Sequence, residues 1–142
     1  YLRLDKDECI ESKRKKNIKI IPGKLIRILN ASKKNVIIVT GKNQEIAIEM
    51  SKNKYKGYSV FSLPMWGMST KKNFFYSINK FKNIVTVEDH FQDGGFGSWV
   101  NEILSFYKKK INITSEFISA NSIYDVGSKI YLLKKYGPKL KK

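Results

Sequence analysis

The chain has 142 residues, 42% of them hydrophobic, and a formal net charge of +16. That is the length of one domain, large enough for a core without disulfide or metal staples, and the composition is not that of a disordered segment. One cysteine, Cys9, excludes an internal disulfide and a cysteine-based zinc site, and no run reaches the roughly 18 apolar residues needed to span a bilayer.

The single cysteine reads as a reduced thiol, which places the protein in the cytoplasm. The charge reads as compositional. The 28 basic residues are 25 Lys and 3 Arg (Arg3, Arg14 and Arg27), and the lysines are scattered along the chain among many Asn and Ile, as AT-rich codon usage produces. Readers of phosphate and base edges favour the arginine fork. The two dense runs, Lys13 to Lys16 and Lys139 to Lys142, sit at the ends, where charge is solvated. Nucleic acid and membrane are therefore not expected as partners.

Residues 1–17 begin with the strand-like Tyr1-Leu2-Arg3-Leu4 and continue as a charged stretch without apolar periodicity. They read as the end of a preceding domain and a linker, in a chain cut from something longer. Pro22-Gly23 opens the compact part, residues 18–142. Lys24 to Leu29 predicts a short strand. Asn35 to Thr40 (NVIIVT) is a continuous β-branched run, the pattern of a strand buried on both faces. A helix over 41–54 follows, then a second buried strand over Tyr58 to Leu63. Phe74, Phe75, Ile78 and Phe81 mark one face of a helix, with Ser69 or Thr70 as its cap. Asn83 to Val87 is a third buried strand. Trp99, Val100, Ile103, Leu104 and Tyr107 form another helical stripe, with Ser98 as the expected N-cap. Ser115 to Ser119 predicts a fourth strand, and Gly127 to Gly137 a final helix stopped by Gly137-Pro138. After the first strand, strand and helix alternate four times. The pattern predicts an α/β protein with a parallel sheet and helices on both faces, and function in the loops after the strands' carboxyl ends.

Three features in those loops carry possible chemistry. Glu88, Asp89 and His90 end a buried strand, where a shifted proton affinity suits acid–base work; equally, a lone histidine there can be a hydrogen-bonded structural residue. Gly94, Gly95, Gly97 and Ser98 do not have the spacing of a dinucleotide fingerprint or a phosphate loop. They read either as an anion-binding helix start or as a structural turn that needs glycine for φ > 0 and close packing. Pro64 to Met68 (PMWGM) presents Trp66 and Met68 either as loop packing or as a partner surface.

The run TVEDHFQDGGFGSWVNEIL resembles the signature of the transketolase carboxyl-terminal domain. In that family a buried strand ends in Val-Glu-(Glu/Asp)-His, and a Gly-Gly-(Leu/Phe/Val)-Gly-Ser turn opens a helix; here these are Val87, Glu88, Asp89, His90, Gly94, Gly95, Phe96, Gly97 and Ser98. The likeness extends to PGKLIRIL, NVIIVTGKNQEIAIEM and VGSKIYLLKKYG, and YLRL is similar to the last strand of the family's preceding pyrimidine-binding domain. Two departures stand out. Leu63-Pro64-Met65-Trp66-Gly67-Met68 lacks the aspartate usual in that loop, and Pro138 replaces the usual Leu or Ile.

The resemblance implies a three-layer α/β/α domain with a mixed five-stranded sheet, its first strand antiparallel and the other four parallel. It implies a part of a thiamine diphosphate-dependent enzyme that moves a two-carbon ketol unit between sugar phosphates. Deoxyxylulose-phosphate synthases and 2-oxoacid dehydrogenase beta subunits are the related alternatives. In such enzymes the cofactor and Mg²⁺ are held by the two preceding domains, on the same chain or on a split amino-terminal subunit. The carboxyl-terminal domain supports the homodimer and borders the active-site entrance. This chain has no Gly-Asp-Gly motif, so it is expected neither to bind the cofactor nor to catalyse alone. A stand-alone module binding an anion at the Gly94–Ser98 turn is the other reading.

Overall fold

The computed structural model describes residues 18–140. The strand end, linker and cysteine expected in 1–17, and the last two lysines, lie outside the described residues.

The elements run β1 (Ile26–Leu29), β2 (Asn35–Val39), α1 (Gln44–Lys52), β3 (Ser59–Ser62), α2 (Lys71–Ile78), β4 (Asn83–Val87), α3 (Phe96–Phe106), β5 (Asn112–Glu116) and α4 (Lys129–Tyr136). Single 3₁₀ turns at Met68–Thr70 and Ala120–Tyr124 precede α2 and α4. The five strands lie in the order β1-β3-β2-β4-β5. β1 pairs antiparallel with β3, while β2–β3, β2–β4 and β4–β5 are parallel. This is the mixed sheet the resemblance implies.

The alternation of side chains explains the apolar runs. Val36 and Ile38 point into one core with Ile84, Phe74, Ile78, Phe96, Val100 and Ile103. Ile37 and Val39 point into the other with Val60, Val85, Val87, Ala47 and Met50. A strand whose successive residues meet α2 and α3 on one face and α1 on the other has no solvent face, so it must be apolar throughout. All four residues Val36 to Val39 are fully buried. The three layers follow from this. Among the described residues no helix is long and apolar enough to cross a membrane.

Two departures from the expected bounds bear on the sheet's carboxyl edge. β5 spans Asn112–Glu116 rather than 115–119. It is an edge strand with alternating exposure, so it carries no apolar run, and the apolar Phe117-Ile118 pair that drew the expectation lies just past its end. α3 begins at Phe96 with Gly95 as its N-cap, so Ser98 is already inside the first turn; its hydroxyl donates to the Gln92 carbonyl.

The amino ends of the parallel strands are laced together. β2, β4 and β5 each start with asparagine, and the side chains form a ladder: Asn112 Nδ2 donates to Asn83 Oδ1 (2.9 Å) and Asn83 Nδ2 to Asn35 Oδ1 (2.7 Å). Register places Asn35 beside Asn83 and Asn83 beside Asn112.

Phe74 carries the α2–α3 side of the core. It is fully buried, and its ring centroid lies 4.9 Å from that of Trp99 and 6.2 Å from that of Phe96. Phe74→Ala is expected to lower stability by about 3–5 kcal/mol, measured by urea unfolding followed by circular dichroism; a loss under about 1 kcal/mol would contradict this packing.

Candidate functional site

The site lies where β4 ends. Val87 is the last strand residue, and the chain then descends through 88–95 to the start of α3. Backbone bonds continue the sheet pairing past both strands: Glu88 N–H donates to the Glu116 carbonyl and Ile118 N–H to the His90 carbonyl, each at 3.0 Å. The β4–α3 loop is therefore fixed at both its start and its middle.

Glu88 points inward and is 2% exposed. A helix start leaves its first N–H groups without intrahelical partners. Here the Glu88 carboxylate takes two of them: Phe96 N–H donates to Oε2 at 2.6 Å and Gly97 N–H to Oε1 at 3.0 Å. Anionic oxygen on amide N–H at the positive end of a helix is the strong form of this bond. Burial pushes the Glu88 carboxyl above its usual range, against the pull of the Gly97 and Phe96 amides and the nearby His90.

The glycines are shaped by that carboxylate. A Cβ on Gly95 would overlap Glu88 Oε2 and the Phe91 carbonyl, and one on Gly97 would overlap Ser115 Oγ and stand 3.0 Å from both Glu88 Oε1 and Thr86 Oγ1. Gly94 differs: it holds φ +69° with open space around it, so its requirement is backbone conformation alone. Thr86 and Ser115 join β4 to β5 beneath Gly97 through a 3.0 Å hydroxyl bond.

The other expected residues separate into two groups. Trp66 meets the glycine turn: its ring lies 5.3 Å from Phe96 and 5.3 Å from Trp99, while one edge stays in solvent. Met68, two residues on, is 87% exposed. His90 is on the opposite side from the buried carboxylate. It is exposed, with Nδ1 3.1 Å from the Phe91 carbonyl, and with Asp89, Phe91, Ile118, Leu132 and Leu133 it lines a cavity of about 450 Å³. Glu88 and His90 are thus neighbours in sequence that face different environments.

Several groups at this edge gave no signal in the sequence. Glu116, at the end of β5, accepts from Lys54 Nζ at 2.6 Å and from the Tyr55 hydroxyl. Burial and Glu116 together push the Tyr55 phenol well above its usual value. Asp125 gathers Lys135 (2.8 Å), Tyr136 (3.1 Å) and Tyr131 (3.2 Å) around one oxygen, and Lys135 holds its carboxyl below the usual range. That latch ties the segment before α4 to the helix and leaves Tyr124, Val126 and Ile130 at 90%, 96% and 81% exposure. Each depends on pairs separated by many residues or placed in a loop, which periodicity does not reveal.

Among the described residues no three His, Cys, Asp or Glu side chains come together as a metal-ion donor set. Both oxygens of the buried carboxylate are already bonded to amides. These residues do not fit a thiamine diphosphate–Mg²⁺ centre.

No protein-family model matches the chain, and no curated protein matches it. Solved structures do. One is a split-gene transketolase, described as an inactive beta4 tetramer, which superposes with a TM-score of 0.71 at 23% identity over 93% of this chain. The chain has the fold of part of that protein, a transketolase carboxyl-terminal-like architecture. It spans 43% of the matched chain's length.

Two outcomes are expected of the turn. Gly97→Ala costs about 1–3 kcal/mol through overpacking, and Glu88→Gln about 1–3 kcal/mol because an amide NH₂ must face a backbone N–H; both are read from chemical denaturation. The second has a pH signature. The folded carboxyl binds its proton more tightly than the unfolded one at 4.5, so this contribution is complete below about that pH and is lost as pH rises through the raised midpoint. The margin of wild type over Glu88→Gln should therefore shrink from acid toward neutral pH. A margin that grows toward neutral would contradict the shift.

Proposed function

We propose that the chain is a non-catalytic, carboxyl-terminal part of a cytoplasmic, thiamine diphosphate-dependent, transketolase-like enzyme. The reading rests on one observation: 93% of the chain superposes on less than half of a split-gene transketolase. The whole enzyme would move a two-carbon ketol unit between sugar phosphates. The diphosphate–Mg²⁺ site and the base that activates the cofactor would belong to the preceding domains or a separate subunit.

In this reading the Glu88–Phe96–Gly97 lock is architecture. Two amides that an external anion would need are occupied by the chain's own carboxylate, which favours the structural turn over an anion site at Gly94–Ser98. The apolar face at Tyr124, Val126 and Ile130 would meet the cofactor-binding domains, since an exposed cluster of this kind marks an interface. His90, on the same edge of the sheet, would border the active-site entrance without touching the reacting atoms. The intact assembly would be a dimer of such units.

The test uses the chain assembled with the polypeptide that carries the cofactor domains, assayed for ketol transfer from xylulose 5-phosphate with thiamine diphosphate and Mg²⁺. Activity is expected, with His90→Ala within about threefold of wild type; a loss of a hundredfold or more, the scale of acid–base catalysis, would make His90 catalytic. Val126→Glu with Ile130→Glu is expected to prevent assembly in size-exclusion chromatography while leaving the melting temperature of this chain unchanged. Retained assembly would remove that face from the interface.

A further inference from the structure

The lysines that look scattered in sequence are sorted by the fold. Three loops lead into parallel strands from their amino ends: 30–34 into β2, 79–82 into β4 and 107–111 into β5. Together they hold Lys33, Lys34, Lys80, Lys82, Lys108, Lys109 and Lys110, and no Asp or Glu. All seven lysines are exposed, and among the described residues none of the seven is ion-paired. The loop before β3 differs, because its Lys54 and Tyr55 reach Glu116 at the carboxyl end of β5. The eight acidic residues of the described chain lie elsewhere. Glu88, Asp89, Asp93, Glu116 and Asp125 are at or beyond the carboxyl ends of the strands, and Glu45, Glu49 and Glu102 are within helices. Codon usage enriches lysine along the chain, whereas the gathering of these seven on one edge follows from the strand order.

The loops are joined into one surface. Lys82 N–H donates to the Lys34 carbonyl at 2.8 Å, Asn112 N–H to the Lys82 carbonyl at 3.1 Å, and the asparagine ladder runs alongside. Their order along the sheet follows the strands β2-β4-β5. Two strand spacings make a row about 10 Å long. Lys108 adds an independent sign. It holds φ +50° at the turn after α3, a left-handed position where glycine is the unstrained residue and lysine costs backbone energy.

We propose that this amino-end edge of the sheet binds the phosphodiester backbone of nucleic acid without reading its sequence. A line of point charges suits a linear polyanion better than a planar lipid surface. Within the loops Phe81 is buried and Tyr107 is stacked on Phe75, while the exposed Phe106 beside Tyr107 is the last residue of α3. The loops hold no arginine. Base-edge recognition by the guanidinium fork is therefore missing, and affinity would come mainly from phosphate contacts. With phosphates about 3.4 Å apart along one duplex strand, the row spans about three. It lies at the opposite edge from Glu88 and His90, so binding would leave the proposed domain interface free.

The test is fluorescence anisotropy of the full chain with a labelled mixed-sequence 20-nucleotide RNA, between 50 and 200 mM KCl, with a duplex DNA and poly-glutamate as competitors. Binding is expected to weaken linearly in log–log form with salt. Lys34→Glu, Lys82→Glu and Lys109→Glu together should weaken it at least tenfold and flatten the salt slope by about two, at roughly 0.7 per lost contact on a single strand. Lys19→Glu, Lys24→Glu and Lys72→Glu, with the same change in net charge, should leave it within about threefold. Lys108→Gly should weaken binding while the melting temperature holds or rises, which a purely structural lysine would not show. Equal losses in the two triple variants would overturn the proposal in favour of diffuse charge. So would no binding at 50 mM KCl, or equal competition by poly-glutamate, which would make the face a site for an acidic protein.

Discussion

The carboxylate of Glu88 fixes the rest of this edge. It is the point at which the central sheet is fastened to α3. One oxygen takes the Phe96 amide and the other the Gly97 amide, so the end of β4 and the start of the helix share a bidentate contact within the core. Removing a charge from water is unfavourable, and burial does raise this group's proton affinity. The two amides and the helix end offset part of that cost. The arrangement also dictates the neighbouring residues: Gly95 and Gly97 have no room for a Cβ because carboxylate oxygens and β5's Ser115 stand where it would be. Once α3 starts in this place, Phe96 and Trp99 are held against Phe74 and Trp66, and the loop after β3 closes over them.

This constraint separates support from exposure along the carboxyl edge. Glu88 and the glycines are turned into the domain, while His90, the cavity beside it and the apolar residues before α4 are turned outward. The outward group is what a neighbouring domain could touch. The opposite edge has a different character: hydrogen-bonded asparagines, exposed lysines and no acid in the loops that form it. Two edges of one sheet thus offer an apolar face and a polycationic face, and a ligand on one need not compete with a partner on the other.

Much of the fold is legible in the sequence because the central strands are buried on both sides. NVIIV and NIVTV have nowhere to place a charge, and the Phe74/Ile78 and Trp99/Ile103 stripes show which helix face meets them. β5 is harder to read. As an edge strand its residues alternate between exposed and half-buried, so its bounds slip to the nearby Phe117-Ile118. The start of α3 is missed for a related reason. Ser98 is a good local cap, but the capping oxygen comes from Glu88, eight residues before Phe96. The motif Glu88…Gly95-Phe96-Gly97 marks the place in the sequence, yet only the folded geometry shows that its parts touch. The lysine edge is illegible because its members are spread from Lys33 to Lys110 and assembled only by strand order.

Native-state hydrogen exchange of the Phe96 and Gly97 amides tests the Glu88 lock most directly. First-turn amides of a helix ordinarily exchange fast, because they lack intrahelical partners. If the buried carboxylate holds both, they should exchange only through global unfolding, with the same free energy as the amides of Ile37 and Ile38. Exchange of these two amides by local opening, far faster than that of the β2 core, would show that the carboxylate does not fasten α3 to the sheet.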